Sequence, residues 1–123
     1  MGCFSNYLEN KVLATEFNSV PLYLALTTTA SSDTGAGTEP TNMMQYARKA
    51  ITFTAPVNGT ISNTTIVDYG VVTGSGATIV GWAIFDAATN GNMLAYGDFS
   101  PTQTVSVNNN IVVPANSISI SLD

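Results

Sequence analysis

The chain has 123 residues, of which 45% are hydrophobic and only 9% charged, with a formal net charge of −5. Eight acids face three bases, Lys11, Arg48 and Lys49, so a phosphate backbone or an anionic lipid surface is repelled rather than bound. One cysteine, Cys3, and no histidine exclude an internal disulfide, a Cys/His zinc site, a Ser-His-Asp triad and a Cys-His pair.

The length suits a single domain over residues 1–123, with enough apolar content for a core that needs neither metal nor disulfide. Ser, Thr, Asn and Gly fill the polar positions, as they do in extracellular and virion β proteins. No cofactor and no metal are expected. The start, MGCFSNYLENK, has no apolar h-region, and no run is long enough for a membrane span. Its Met-Gly opening fails the myristoylation pattern, because Ser falls at position 5 and position 6 is Asn6. Cys3 is expected to be a small buried hydrophobe.

Residues 1–17 form an N-terminal helical segment. Ser5 is a fair N-cap, and the helix should run from Ser5 to Thr15. Phe4, Tyr7, Leu8, Val12 and Leu13 recur at helical steps and mark its apolar face. A helix this short needs something to pack on, either its own sheet or another protein.

A strand follows, with Leu22, Leu24 and Leu26 alternating with Tyr23, Ala25 and Thr27. Residues 28–45 then lose all periodicity and read as one long loop carrying Asp33 and Glu39. It is either a solvated connection or a functional, mobile segment. Met43 and Met44 at its end are core gap-fillers or an adaptable contact surface.

The remainder reads as strands. YARKAITFT leads to a turn at Asn58-Gly59, then TTIVDYGVV with a bulge expected at Gly70. GATIVGWAIFD and NMLAYGDF come next, then QTVSV, NIVV and SISISLD, with turns at Asn108 to Asn110 and at Pro114 to Asn116. Arg48 and Lys49, as neighbours on a strand, should point to opposite faces. Asn58 and Asn63 open glycosylation sequons, but turn and strand roles are the plainer reading. The fold class is mainly β: a compact antiparallel sandwich or barrel-like domain with a short N-terminal helix.

The stretch GWAIFDAATNGNMLAYGDF is the one place where chemistry suggests itself. Trp82, Ile84 and Asp86 alternate with Ala83, Phe85 and Ala87, so both faces carry large apolar groups. Asp86, Asn90 and Asn92 offer oxygen ligands to Ca²⁺, yet with one carboxylate and no EF-hand spacing. Trp82 with Tyr96 and Asp98 could stack on and bond a sugar, although core packing is the commoner use of a strand Trp. Asp68, Asp86 and Asp98 supply acid pairs for glycoside hydrolysis, as any chain with eight acids does. An Asx-rich turn with Asn90-Gly91 accounts for the polar residues without any of these.

The motifs together resemble a known group. Phe4, Asn6, Leu8 and Glu9 fit an F-x-N-x-L-E helix, Leu22 to Leu26 an L-Y-L-A-L strand, and Tyr46 to Arg48 a Y-A-R motif. Ala83 to Ala87, Gly91, Leu94, Tyr96 and Gly97 fit an A-I-F-D-A-x-x-G-G-x-L-x-Y-G hairpin, with Asn90 where many relatives have Gly. In this order they resemble the small tail-fibre-like proteins of tailed bacteriophages. The resemblance spans nearly the whole chain, with a less typical middle at residues 55–70.

It implies a virion structural protein without catalytic residues. A fibre shaft needs repeats or a coiled coil, and neither is present in the sequence. The favoured expectation is therefore a capsid decoration or cement protein, docked outside the shell and stabilising subunit junctions. The alternative is a tail-fibre or tail-tip module that recognises host-surface carbohydrate through Trp82, Tyr96 and Tyr69. Expected partners are other virion proteins, either the major capsid protein or tail proteins, with self-association in the virion; nucleic acid and membrane are not expected. Assembly would take place in the host cytoplasm. Phe4, Tyr7, Leu8, Met43, Met44, Trp82 and Tyr96 are the partner-contact candidates.

Overall fold

A computed structural model describes residues 2–43 and 45–122. One helix, α1 (Asn6–Phe17), is followed by eight strands. These are β1 (Leu22–Thr27), β2 (Lys49–Ile51), β3 (Thr60–Ser62), β4 (Val67–Val71), β5 (Ala77–Phe85), β6 (Met93–Val105), β7 (Asn110–Val113) and β8 (Ser119–Ser121).

The larger layer is an antiparallel sheet in the order β2-β1-β5-β6, and two antiparallel pairs, β3-β8 and β4-β7, make the facing layer. Leu22, Leu24 and Leu26 of β1 and Trp82 and Ile84 of β5 line the inner face of the first layer. Ile61, Val67, Tyr69, Ile111 and Val113 meet them from the second. Each alternates with outward positions, as face-to-face sheet packing requires. The expected sandwich is found, and it does not close into a barrel.

α1 begins where expected: Ser5 is extended, and its Oγ accepts the Leu8 N–H at 3.3 Å. The helix runs one half-turn further, to Phe17. Its buried face corrects the sequence expectation in part, since of the expected apolar positions Leu13 is buried and Val12 half-buried. Glu9, Leu13 and Phe17 are buried, whereas Phe4, Tyr7 and Leu8 are 53%, 75% and 38% exposed. An amide hydrogen bond and an aromatic contact dock the helix in this rotation. Asn10 Oδ1 accepts the Gly59 N–H at 2.9 Å, and Phe17 meets the edge of Phe53 with ring centroids 5.6 Å apart. Cys3 is exposed, not buried, because the chain ahead of the helix stays outside this contact.

Further boundaries differ: YARKAITFT, expected as one strand, pairs with β1 only over Lys49–Ile51, so Arg48 lies ahead of β2 and not on it. β3 was not anticipated as a strand; it is the return arm of a tight hairpin. Val57 and Thr60 exchange both backbone bonds at 3.1 Å, and Asn58 and Gly59 have φ of 53° and 72°. NMLAYGDF and QTVSV, expected as two strands, form the single strand β6. Its pairing jumps from Gly81↔Asp98 to Ile79↔Gln103, so Pro101 sits in an excursion that needs no ladder N–H. The Gly70 bulge is where it was expected, with φ 82° and a register shift after Asp68.

Asn63, read as part of a sequon, is fully buried and joins the second layer together. Its Nδ2 donates to Thr65 O at 3.0 Å and Pro114 O at 2.9 Å, and its Oδ1 accepts the Ile118 N–H at 2.9 Å. A buried amide with its polar atoms satisfied stabilises a fold; an unsatisfied one costs about 1–3 kcal/mol.

Candidate functional site

The β5–β6 hairpin is held by its own side chains. Asp86 accepts the Asn92 backbone N–H at 2.7 Å and its Nδ2 at 3.1 Å. Those bonds, the backbone one first, keep the Asp86 carboxyl below its ordinary range. Asn90 and Gly91 have φ of 55° and 79°, which explains why Asn replaces Gly without harm. Asp68 is similarly occupied, accepting the Gly70 N–H at 2.8 Å in the bulge.

The Y-A-R motif reaches this hairpin. Arg48 Nη1 donates to Ala87 O at 3.0 Å and Asn90 O at 2.7 Å. Its Nε and Nη2 take Glu39 in a fork at 3.1 and 2.9 Å, and the guanidinium carbon lies 3.7 Å from the Phe85 ring centroid. Tyr46 donates to the same carboxylate at 2.5 Å and accepts the Leu26 N–H at 3.2 Å. Its ring stacks on Tyr69, whose hydroxyl donates to Leu24 O at 2.5 Å. Burial raises the Glu39 carboxyl, but the Arg48 and Tyr46 hydrogen bonds and the Arg48 charge outweigh it and leave it lowered. Burial first, then the Glu39 hydrogen bond and charge, pushes the Tyr46 phenol far upward.

The loop over 28–43 is therefore a pinned cover, not a loose connection. Beyond the Glu39 clamp, Tyr96 on β6 donates to Asp33 Oδ1 at 2.5 Å, and that bond raises the Tyr96 phenol. Thr38 N–H bonds Thr29 Oγ1 at 2.8 Å, and Gly37 N–H bonds Ser31 Oγ at 2.9 Å, so the loop folds on itself. A Cβ at Gly37 would sit 2.0 Å from Thr29 O, which only glycine avoids.

The contact candidates separate by burial. Phe4, Tyr7, Leu8 and Tyr96 are exposed; Met43 and Trp82 are 4% and 8% exposed and sit in the core, not on the surface. Met44 lies outside the described residues. Trp82 packs flat on Gly97 across the β5–β6 ladder: a Cβ there would fall 2.5 Å from Cζ2. Tyr69 is 2% exposed, so Trp82, Tyr96 and Tyr69 do not converge on one sugar-binding surface. Among the described residues no group of three acids, cysteines or histidines is placed to hold a metal. Glu39, seen in the sequence only as a loop acid, is the missed residue; with just three bases in the chain, its pairing with Arg48 was the available signal.

One side of the sandwich is open. A groove of about 500 Å³ runs between α1, β6 and β8, lined by Val12, Leu13, Trp82, Leu94, Ile120 and Leu122, with Glu16 at its rim. A separate one, of about 410 Å³, lies between β6 and β7, with Phe99, Leu26, Ile79 and Ile111 in its lining. Both lie along β6.

The chain matches a protein-family model, and no curated protein matches it. The family model is described as Podophage GP4 fiber I protein gp80 and aligns with residues 3–121, from just before α1 to the end of β8. Every element described above falls inside that span. The chain belongs to this family of phage tail-fibre-like structural proteins, and its role is that of a virion structural component.

Proposed function

We propose that the chain is a tail-fibre component of a podophage virion rather than a capsid cement protein. The observation that carries this is the family match over residues 3–121, which favours the fibre reading over the cement one. The geometry is consistent with a mechanical task. Arg48, Glu39, Tyr46, Asp33, Tyr96 and Asp86 are engaged in holding loop and hairpin in place. The module contributes a fixed shape, bound to other tail proteins, and takes part in no reaction. Without repeats or a heptad pattern it is a compact attachment on the fibre, not its shaft.

Carbohydrate recognition through Trp82, Tyr96 and Tyr69 draws no support from the burial of two of them. Cryo-electron microscopy of purified virions, with immunogold labelling against this chain, tests the proposal. Label and density on the tail fibres are expected. Density repeating on the capsid lattice would return the cement reading to first place.

A further inference from the structure

β6 is paired on one side only. Its neighbour is β5, and among the described residues no backbone hydrogen bond joins Met93–Val105 to a second strand. Among the described residues β8 has β3 as its only strand neighbour. These two edges form the lips of the 500 Å³ groove, with α1 closing one end and Trp82 in its lining. A strand edge presents N–H and C=O groups at the spacing of another strand, so an extended backbone is the ligand that matches it. Apolar groups between the lips match alternate apolar side chains, and Leu94, 38% exposed, stands at the mouth.

Charge selects among strands. Glu16 at the rim and Asp98 on β6 are both exposed acids, and Asp33 adds a third where it meets Tyr96. Lys11, next to Val12 of the lining, is the one base on α1, and Arg48 is tied to Glu39, so acids outnumber free bases along this edge. A second copy offering its own β6 would bring another Asp98, on a chain of net charge −5, against this rim.

We propose that the groove beside Met93–Asp98 receives an extended strand from a different polypeptide of the fibre, apolar at alternate positions and neutral or basic overall. This rests on the fibre reading for where the partner is found. The incoming strand would add to the β2-β1-β5-β6 sheet and close the open side of the sandwich.

The test places a photo-cross-linking benzoylphenylalanine at Leu94 and identifies cross-linked peptides from purified virions by mass spectrometry. The expected product joins position 94 to one neutral or basic segment of a second virion polypeptide. Leu94→Asp should lower incorporation into virions at least tenfold while the purified variant keeps the parent's melting curve. A cross-link to another copy of this chain, or none although the chain is present, overturns the inference and leaves the fibre reading standing. Absence of the chain from virions overturns the fibre reading and this inference with it.

Discussion

Gly97 shows how a single missing carbon decides a packing arrangement. The Trp82 indole occupies the space its Cβ would need, and the contact is with a rigid ring inside a sheet. Gly97→Ala should cost about 1–3 kcal/mol, read as a lower urea midpoint with altered near-UV dichroism from the displaced indole. Glu39 makes a different prediction. Its carboxyl is lowered in the folded chain, so its contribution is complete above the ordinary carboxylate value. The contribution fades as pH falls through the lowered one. Glu39→Gln should lose about 1–2 kcal/mol at neutral pH and show a shallower acid-side loss than the parent, in urea titrations across the acid range. The scarcity of bases was the one sequence hint of the Glu39 pairing, since Glu39 and Arg48 are adjacent only after the loop folds back; Gly97 faces Trp82 only once the register is set.

The elements separate by how they carry their information. β1 and β5 run for six and nine residues, and both were legible because each carries a long apolar stretch, buried without a break over Leu24–Thr27 and Gly81–Phe85. β3 has three residues beside an Asn-Gly turn, too few to show a period. β6 was split in two by Pro101, a residue that usually ends a strand; here it falls in the stretch the ladder skips. The helix was legible in its cap and extent but not in its face. Apolar spacing pointed to Phe4, Tyr7 and Leu8, while the docking contacts are an amide to Gly59 and an aromatic edge on Phe53. Phe17→Ala should therefore cost about 3 kcal/mol. Tyr7→Ala should stay within about 0.5 kcal/mol, since that ring is 75% exposed. Thermal unfolding of the two variants side by side measures the rotation of the helix directly.

Across the molecule, one side chain ties two separate segments to each other. Arg48 bonds Glu39 in the loop and the carbonyls of Ala87 and Asn90 in the hairpin. The hairpin carbonyls are in place only once the β5–β6 hairpin has closed, so this contact is expected to form late in folding. A late contact governs how long the native state lasts rather than how fast it is reached. Arg48→Ala, removing about 2 kcal/mol of charge-assisted bonding, should speed unfolding about 30-fold and leave the refolding limb of a stopped-flow chevron nearly unmoved. A protein that must persist outside any cell, with no chaperone to restore it, would thereby have its lifetime set by one side chain at the centre of its loop and hairpin.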